Sequence, residues 1–148
     1  MFYLKKPYLE GGNVLEVKIN IQTIQYNEYG EQNVIKVKAT GTLYEKKGNT
    51  YVLYKEKEDG KETTTSIKIE SDKVTIKRFG EINSTMIFKT NQTINSNYAT
   101  PQGMFVVETK TTKLNIENKE DIIIDIDYDI EIMDMFRGRN IIKINIYK

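Results

Sequence analysis

From Val14 onward, apolar side chains recur at every second position, and few architectures suit that rhythm. Successive side chains of a strand point to opposite faces, so period two marks a sheet with one buried face. Leu15, Val17, Ile19 and Ile21 share one parity, with Glu16, Lys18 and Asn20 between them. Ile35, Val37, Ala39, Gly41 and Leu43 repeat the pattern, and so do Thr63, Thr65, Ile67 and Ile69. Val74, Ile76 and Arg78 follow, then Met86 and Phe88, then a short segment from Thr93 to Tyr98. The series ends with Ile122 to Ile132 and with Ile142, Ile144 and Ile146. Ile, Val, Thr and Tyr dominate throughout, and these residues fit a pleated, half-buried surface. No stretch carries a helical period.

The punctuation between the runs predicts tight connections. Asp59-Gly60 is a strong hairpin signal. Gly48-Asn49, Ser71-Asp72, Asn91-Gln92 and Pro101-Gln102-Gly103 read as further turns. Phe105, Val107 and Thr109 share a parity that Leu114 and Ile116 reverse, which predicts a β-bulge near Lys110 to Thr112. Two of the runs are too long for a small flat sheet, and closure into a barrel removes the exposed edges. The expected fold is therefore all-β: one antiparallel, mostly meander β-barrel of about 8–10 strands. The barrel spans residues 14–148, and residues 1–13 form a separate N-terminal segment, short or irregular.

Composition removes whole classes of chemistry. The chain has 148 residues and no His, Cys or Trp. Histidine bases, imidazole ligands, thiol nucleophiles, zinc ribbons and disulfides are all excluded. The length suits one domain that needs no disulfide or metal staple. With 22 Lys plus Arg against 21 Asp plus Glu, the net charge is +1, which gives nucleic acid little to recognise. Tyr44, Lys46, Lys47, Tyr51, Tyr54 and Lys55 interleave aromatics and cations as single-strand binders do, but strand packing accounts for them as well. No apolar run approaches the roughly 18 residues of a membrane helix. The start of the chain has no apolar region typical of a signal peptide. A cytoplasmic protein is expected, with neither membrane nor cofactor.

Arg78 is the most informative residue. Its parity with Val74 and Ile76 points a cation into the apolar face, and a buried charge must be paired or solvated. Glu56 is the candidate partner, and Tyr54, Thr65, Thr109 and Tyr128 also fall on inward parities. Met86 and Phe88 complete the candidate ligand-binding set with Tyr54, Glu56, Thr65, Arg78, Thr109 and Tyr128. Arg78 could meet a carboxylate or phosphate with its planar fork, or could be satisfied by Glu56 in a structural role. The acidic row Asp125, Asp127, Asp129 and Glu131 lies on one face at roughly 6.6–6.8 Å spacing. It lacks the glycine of a calcium loop, so a solvated face paired with Lys110, Lys113 or Lys143 is expected, with no metal site. No catalytic residue is identified.

The order of these landmarks resembles the YwiB-like family, small bacterial proteins classed as a domain of unknown function. The resemblance runs from Val14 to Tyr147. Its most specific parts are Arg78 with Gly80, and Tyr98-Ala99-Thr100-Pro101-Gln102-Gly103. It implies a calycin-type, lipocalin-like β-barrel and no established activity. Three readings follow. The first is a barrel that binds a small, partly apolar ligand whose anionic group meets Arg78. The second is a filled barrel that acts as a structural or protein-interaction module, monomeric or homodimeric. The third is an enzyme using Tyr, Lys, Arg or carboxylate chemistry.

Overall fold

The structure, a computed structural model, describes residues 14–148. The expectation for residues 1–13 falls outside that range. Ten strands follow in chain order: β1 (Val14–Asn27), β2 (Gln32–Lys46), β3 (Asn49–Glu58), β4 (Lys61–Ile69), β5 (Val74–Phe79), β6 (Asn83–Phe88), β7 (Thr93–Thr100), β8 (Gly103–Asn118), β9 (Ile122–Ile132) and β10 (Phe136–Tyr147). Each pairs antiparallel with its chain neighbours, and β1 pairs with β10 to close the barrel. The expected all-β meander barrel is therefore the fold. Among the described residues there is no helix, and so none long and apolar enough to cross a membrane.

Turn chemistry explains the hairpins. Asp59 and Gly60 have φ of 53° and 78°, the two positive values of the turn that matches strand twist. Lys47 and Gly48 do the same between β2 and β3, one residue earlier than the expected Gly48-Asn49. The bulge falls where the parity change placed it: the β8–β9 register shifts between Thr111 and Lys113. Thr112 is the extra residue, and it moves the inward set from Val107, Thr109 and Thr111 to Leu114 and Ile116.

The middle of the barrel is a buried apolar core. Ile19, Val52, Ile67, Val74, Ile122, Ile124, Ile144 and Ile146 have no exposed surface. Each such side chain contributes about 1.5–3 kcal/mol relative to exposure. Pairing is uneven around the wall, however. β2 meets β3 only from Gly41 to Lys46, although β2 pairs with β1 along nearly its whole length. Gly41 marks the divergence: a Cβ there would meet the Leu53 carbonyl oxygen and lie 2.8 Å from Ile19 Cδ1. Only glycine permits that approach. Opposite this split, β6 and β7 share two register pairs, Asn83↔Ala99 and Ser84↔Tyr98.

Candidate functional site

Register assembles what sequence spacing cannot. Tyr54 of β3 stands opposite Thr65 of β4, Thr65 opposite Arg78 of β5, Arg78 opposite Ser84 of β6, and Ser84 opposite Tyr98 of β7. Directly opposed residues in antiparallel pairs share a face. These five side chains therefore form one polar row across the inner wall, with the cation in its centre. The row below is apolar: Val52, Ile67, Ile76 and Met86. Above it, Glu56 stands opposite Thr63 at the rim.

Arg78 is half-buried and opens into a cleft of about 190 Å³, lined with Glu56, Lys57, Glu58, Lys61 and Thr63. The expected Arg78–Glu56 ion pair is not formed; among the described residues, no ion pair includes Arg78. The topology gives the reason: Arg78 is on β5 and Glu56 on β3, so β4 lies between them, and Glu56 stands one row nearer the rim. Beside the cation, Thr65 is 1% exposed, and its hydroxyl bears on the Tyr54 phenol. Burial raises the Tyr54 phenol above its ordinary pKa of 10.0; Thr65 opposes the rise, Glu56 adds to it, and Arg78 opposes it. Both charges thus act on the same phenol.

The other candidates belong elsewhere in the interior. Tyr128 is buried, packs on Phe88 at 4.7 Å between ring centroids, and accepts a hydrogen bond from Asn140 Nδ2 at 2.8 Å. Asn140 Oδ1 and the buried Thr111 Oγ1 of the same row have no partner among the described residues. Thr109 donates to the Ile94 carbonyl at 3.4 Å, within its own wall. Met86 forms part of the floor below Arg78. Sequence reasoning missed Ser84 and Tyr98. Their signal was present: Ser84 shares parity with Met86, and Tyr98 begins the Tyr98-to-Gly103 motif.

The acidic row is an outer face, as expected. Lys143 stands opposite Asp125, Lys113 opposite Asp127, and Lys110 opposite Asp129. The close contact is diagonal: Arg139 grips Asp127 with Nε at 2.8 Å and Nη2 at 2.6 Å. Among the described residues no cluster suits a metal ion. Tyr44 and Tyr51 stack on each other at 5.1 Å and 5°, with the Lys68 ammonium 5.8 Å from the Tyr51 ring centre. Packing between strands thus occupies a ring face of each.

A family model described as a domain of unknown function, DUF1934, matches residues 19–144. Among solved structures, the ywiB protein from Bacillus subtilis is similar, with a TM-score of 0.81 and 21% identity. The alignment covers 90% of this chain and 92% of that one, a likeness of fold. No curated protein matches the chain.

Proposed function

The chain belongs to the DUF1934 family, a domain of unknown function, and from that premise we propose that it binds a small ligand through an anionic group held by Arg78. The observation that carries this reading is an inward-facing guanidinium with no ion-pair partner among the described residues, set between Thr65 and Ser84. Arginine presents a rigid fork that takes carboxylate or phosphate through two hydrogen bonds.

Size restricts the ligand. The cleft holds about 190 Å³, below the roughly 300–1,000 Å³ that encloses a drug-sized molecule. The anionic end enters the cleft, and any apolar part stays at the mouth, because Ile67 and its neighbours fill the barrel beneath. A cytoplasmic setting belongs to this reading, and a chain without cysteine fits it. Native mass spectrometry of protein purified from its own cells should show added mass that denaturation removes. Arg78→Met should weaken binding of that molecule by about tenfold or more, as expected for loss of a charged hydrogen-bonding group, with the unfolding midpoint nearly unchanged. Unchanged affinity in the variant would refute the assignment.

A second reading has its own observation. The interior is closed by side chains without exposed surface, as a filled barrel acting through its exterior requires. Bare protein mass, together with a large loss of stability in Arg78→Met, would favour it.

A further inference from the structure

The split between β2 and β3 leaves a strand edge without a neighbour among the described residues. Beyond Gly41, residues Gln32–Thr40 of β2 pair with β1 on one side and, among the described residues, with nothing on the other. The edge is long, and no other described strand covers it. Gln32 through Lys36 are exposed, including Val34 at 44% and Ile35 at 42%. An exposed edge of this kind is a template for another strand.

The edge has two chemically distinct faces. Ile35, Val37 and Ala39 continue the inward parity of Gly41 and Leu43, so the inner side is apolar. Outward, Lys36 and Lys38 stand beside Lys143 around a cleft of about 240 Å³ that Asn20 and Gln22 also line. Among the described residues none of these three lysines forms an ion pair. A second copy of the chain can use the full length of the edge in only one register, centred on Lys36, and there it is a poor match. Antiparallel self-pairing centred on Lys36 sets that lysine against its own counterpart, and pairing centred on Val37 sets Lys36 against Lys38. Like charges directly opposite each other destabilise a ladder. An acidic strand reverses the sign of every one of those contacts.

We propose that the free edge of β2, Gln32–Thr40, docks an extended acidic segment of a partner protein, added antiparallel to β2. Its carboxylates lie beside Lys36 and Lys38, and its apolar side chains lie beside Ile35 and Val37. Main-chain hydrogen bonds supply affinity, and the alternating side chains supply selectivity. This surface is independent of the Arg78 cleft, so either assignment can fail alone.

The test uses the full chain and two end-capped synthetic peptides of the same length as the edge, one alternating Glu and Val, the other Lys and Val. Amide hydrogen exchange across residues 32–40 is followed as each is added. Saturating Glu–Val peptide should slow exchange there by about tenfold or more, and Lys–Val peptide should leave it unchanged. Lys36→Glu with Lys38→Glu should weaken the Glu–Val peptide by about tenfold or more without moving the unfolding midpoint. A Glu–Val peptide with proline at its centre should bind more weakly, because proline interrupts the ladder. Equal binding of both charged peptides, or protection elsewhere on the barrel, would overturn the proposal. Protection of 32–40 that rises with protein concentration alone would assign the edge to a second copy instead.

Discussion

The barrel has a strong wall and a weak one, built from the same alphabet. In the strong wall, β9 pairs with β10 from Phe136↔Ile132 to Ile146↔Ile122, and β10 pairs with β1 almost as far. Its inward positions include Ile122, Ile124, Ile126, Ile144 and Ile146, all at 0–1% exposure. In the weak wall, β5 and β6 are six residues each, and the β6–β7 ladder has two register pairs. Val74 and Phe88 anchor it in the core, but Arg78, Ser84 and Met86 also face inward there, and none of these three is a large, fully buried apolar residue. Uninterrupted pairing over a branched apolar core supports the fold. Where pairing is short, the inner wall carries a cation and hydroxyls. Regions with few buried apolar contacts sit at the low-stability end of a structure, which is where binding sites are found.

The largest expected effect sets these walls against each other directly. Ile124→Ala opens a cavity among fully buried neighbours and should cost about 2–5 kcal/mol. Met86→Ala, half-buried in β6, should cost less than about 2 kcal/mol. Urea unfolding with matched slopes would measure both. Equal losses would break the contrast between the walls.

A smaller effect tests the joint between them. Tyr128 of the strong wall rests on Phe88 of β6 and takes its hydrogen bond from Asn140. Tyr128→Phe keeps the ring contact and leaves a buried amide donor unpaired, at about 1–3 kcal/mol near neutral pH. Burial raises the Tyr128 pKa above 10.0, with the Asn140 bond opposing. A raised folded-state pKa gives stability that is present below pH 10.0 and lost as pH rises beyond it. The variant should therefore lose less stability than the parent on going from neutral to strongly alkaline pH. An unchanged alkaline loss would show that Tyr128 does not drive it.

The sequence made the walls legible to different degrees. Parity is local, so the inward direction of Arg78, the bulge at Thr112 and the Ile-rich interior of β9 and β10 could all be read before folding. Register is non-local. The row from Tyr54 through Thr65, Arg78 and Ser84 to Tyr98 depends on four hairpin registers, and nothing in the spacing of Arg78 and Glu56 says that they fall in different rows. The β2–β3 split was hidden for a related reason. Gly41 continues the alternation of β2, and its role emerges only when the Leu53 carbonyl and Ile19 close around it.

The smallest effect lies on the outside of the strong wall. Asp127 is held below the ordinary carboxyl value of 3.8, chiefly by the hydrogen bonds from Arg139, with burial opposing them and the charges of Arg139 and Lys113 adding to them. A lowered folded-state pKa gives stability that is present above pH 3.8 and lost as pH falls through the folded value. The Arg139 side chain is 53% exposed, so water and salt screen the pair and its worth should stay below about 1 kcal/mol. Asp127→Asn should therefore lose a fraction of a kcal/mol near neutral pH, and less in high salt. The loss should shrink in acid, as pH falls below 3.8 and the parent carboxyl also takes up its proton. Urea midpoints at neutral and acid pH give the difference. A neutral-pH loss as large as that of Ile124→Ala would mean that the wall is held from its charged exterior, and the division between an apolar strong wall and a polar weak one would have to be redrawn.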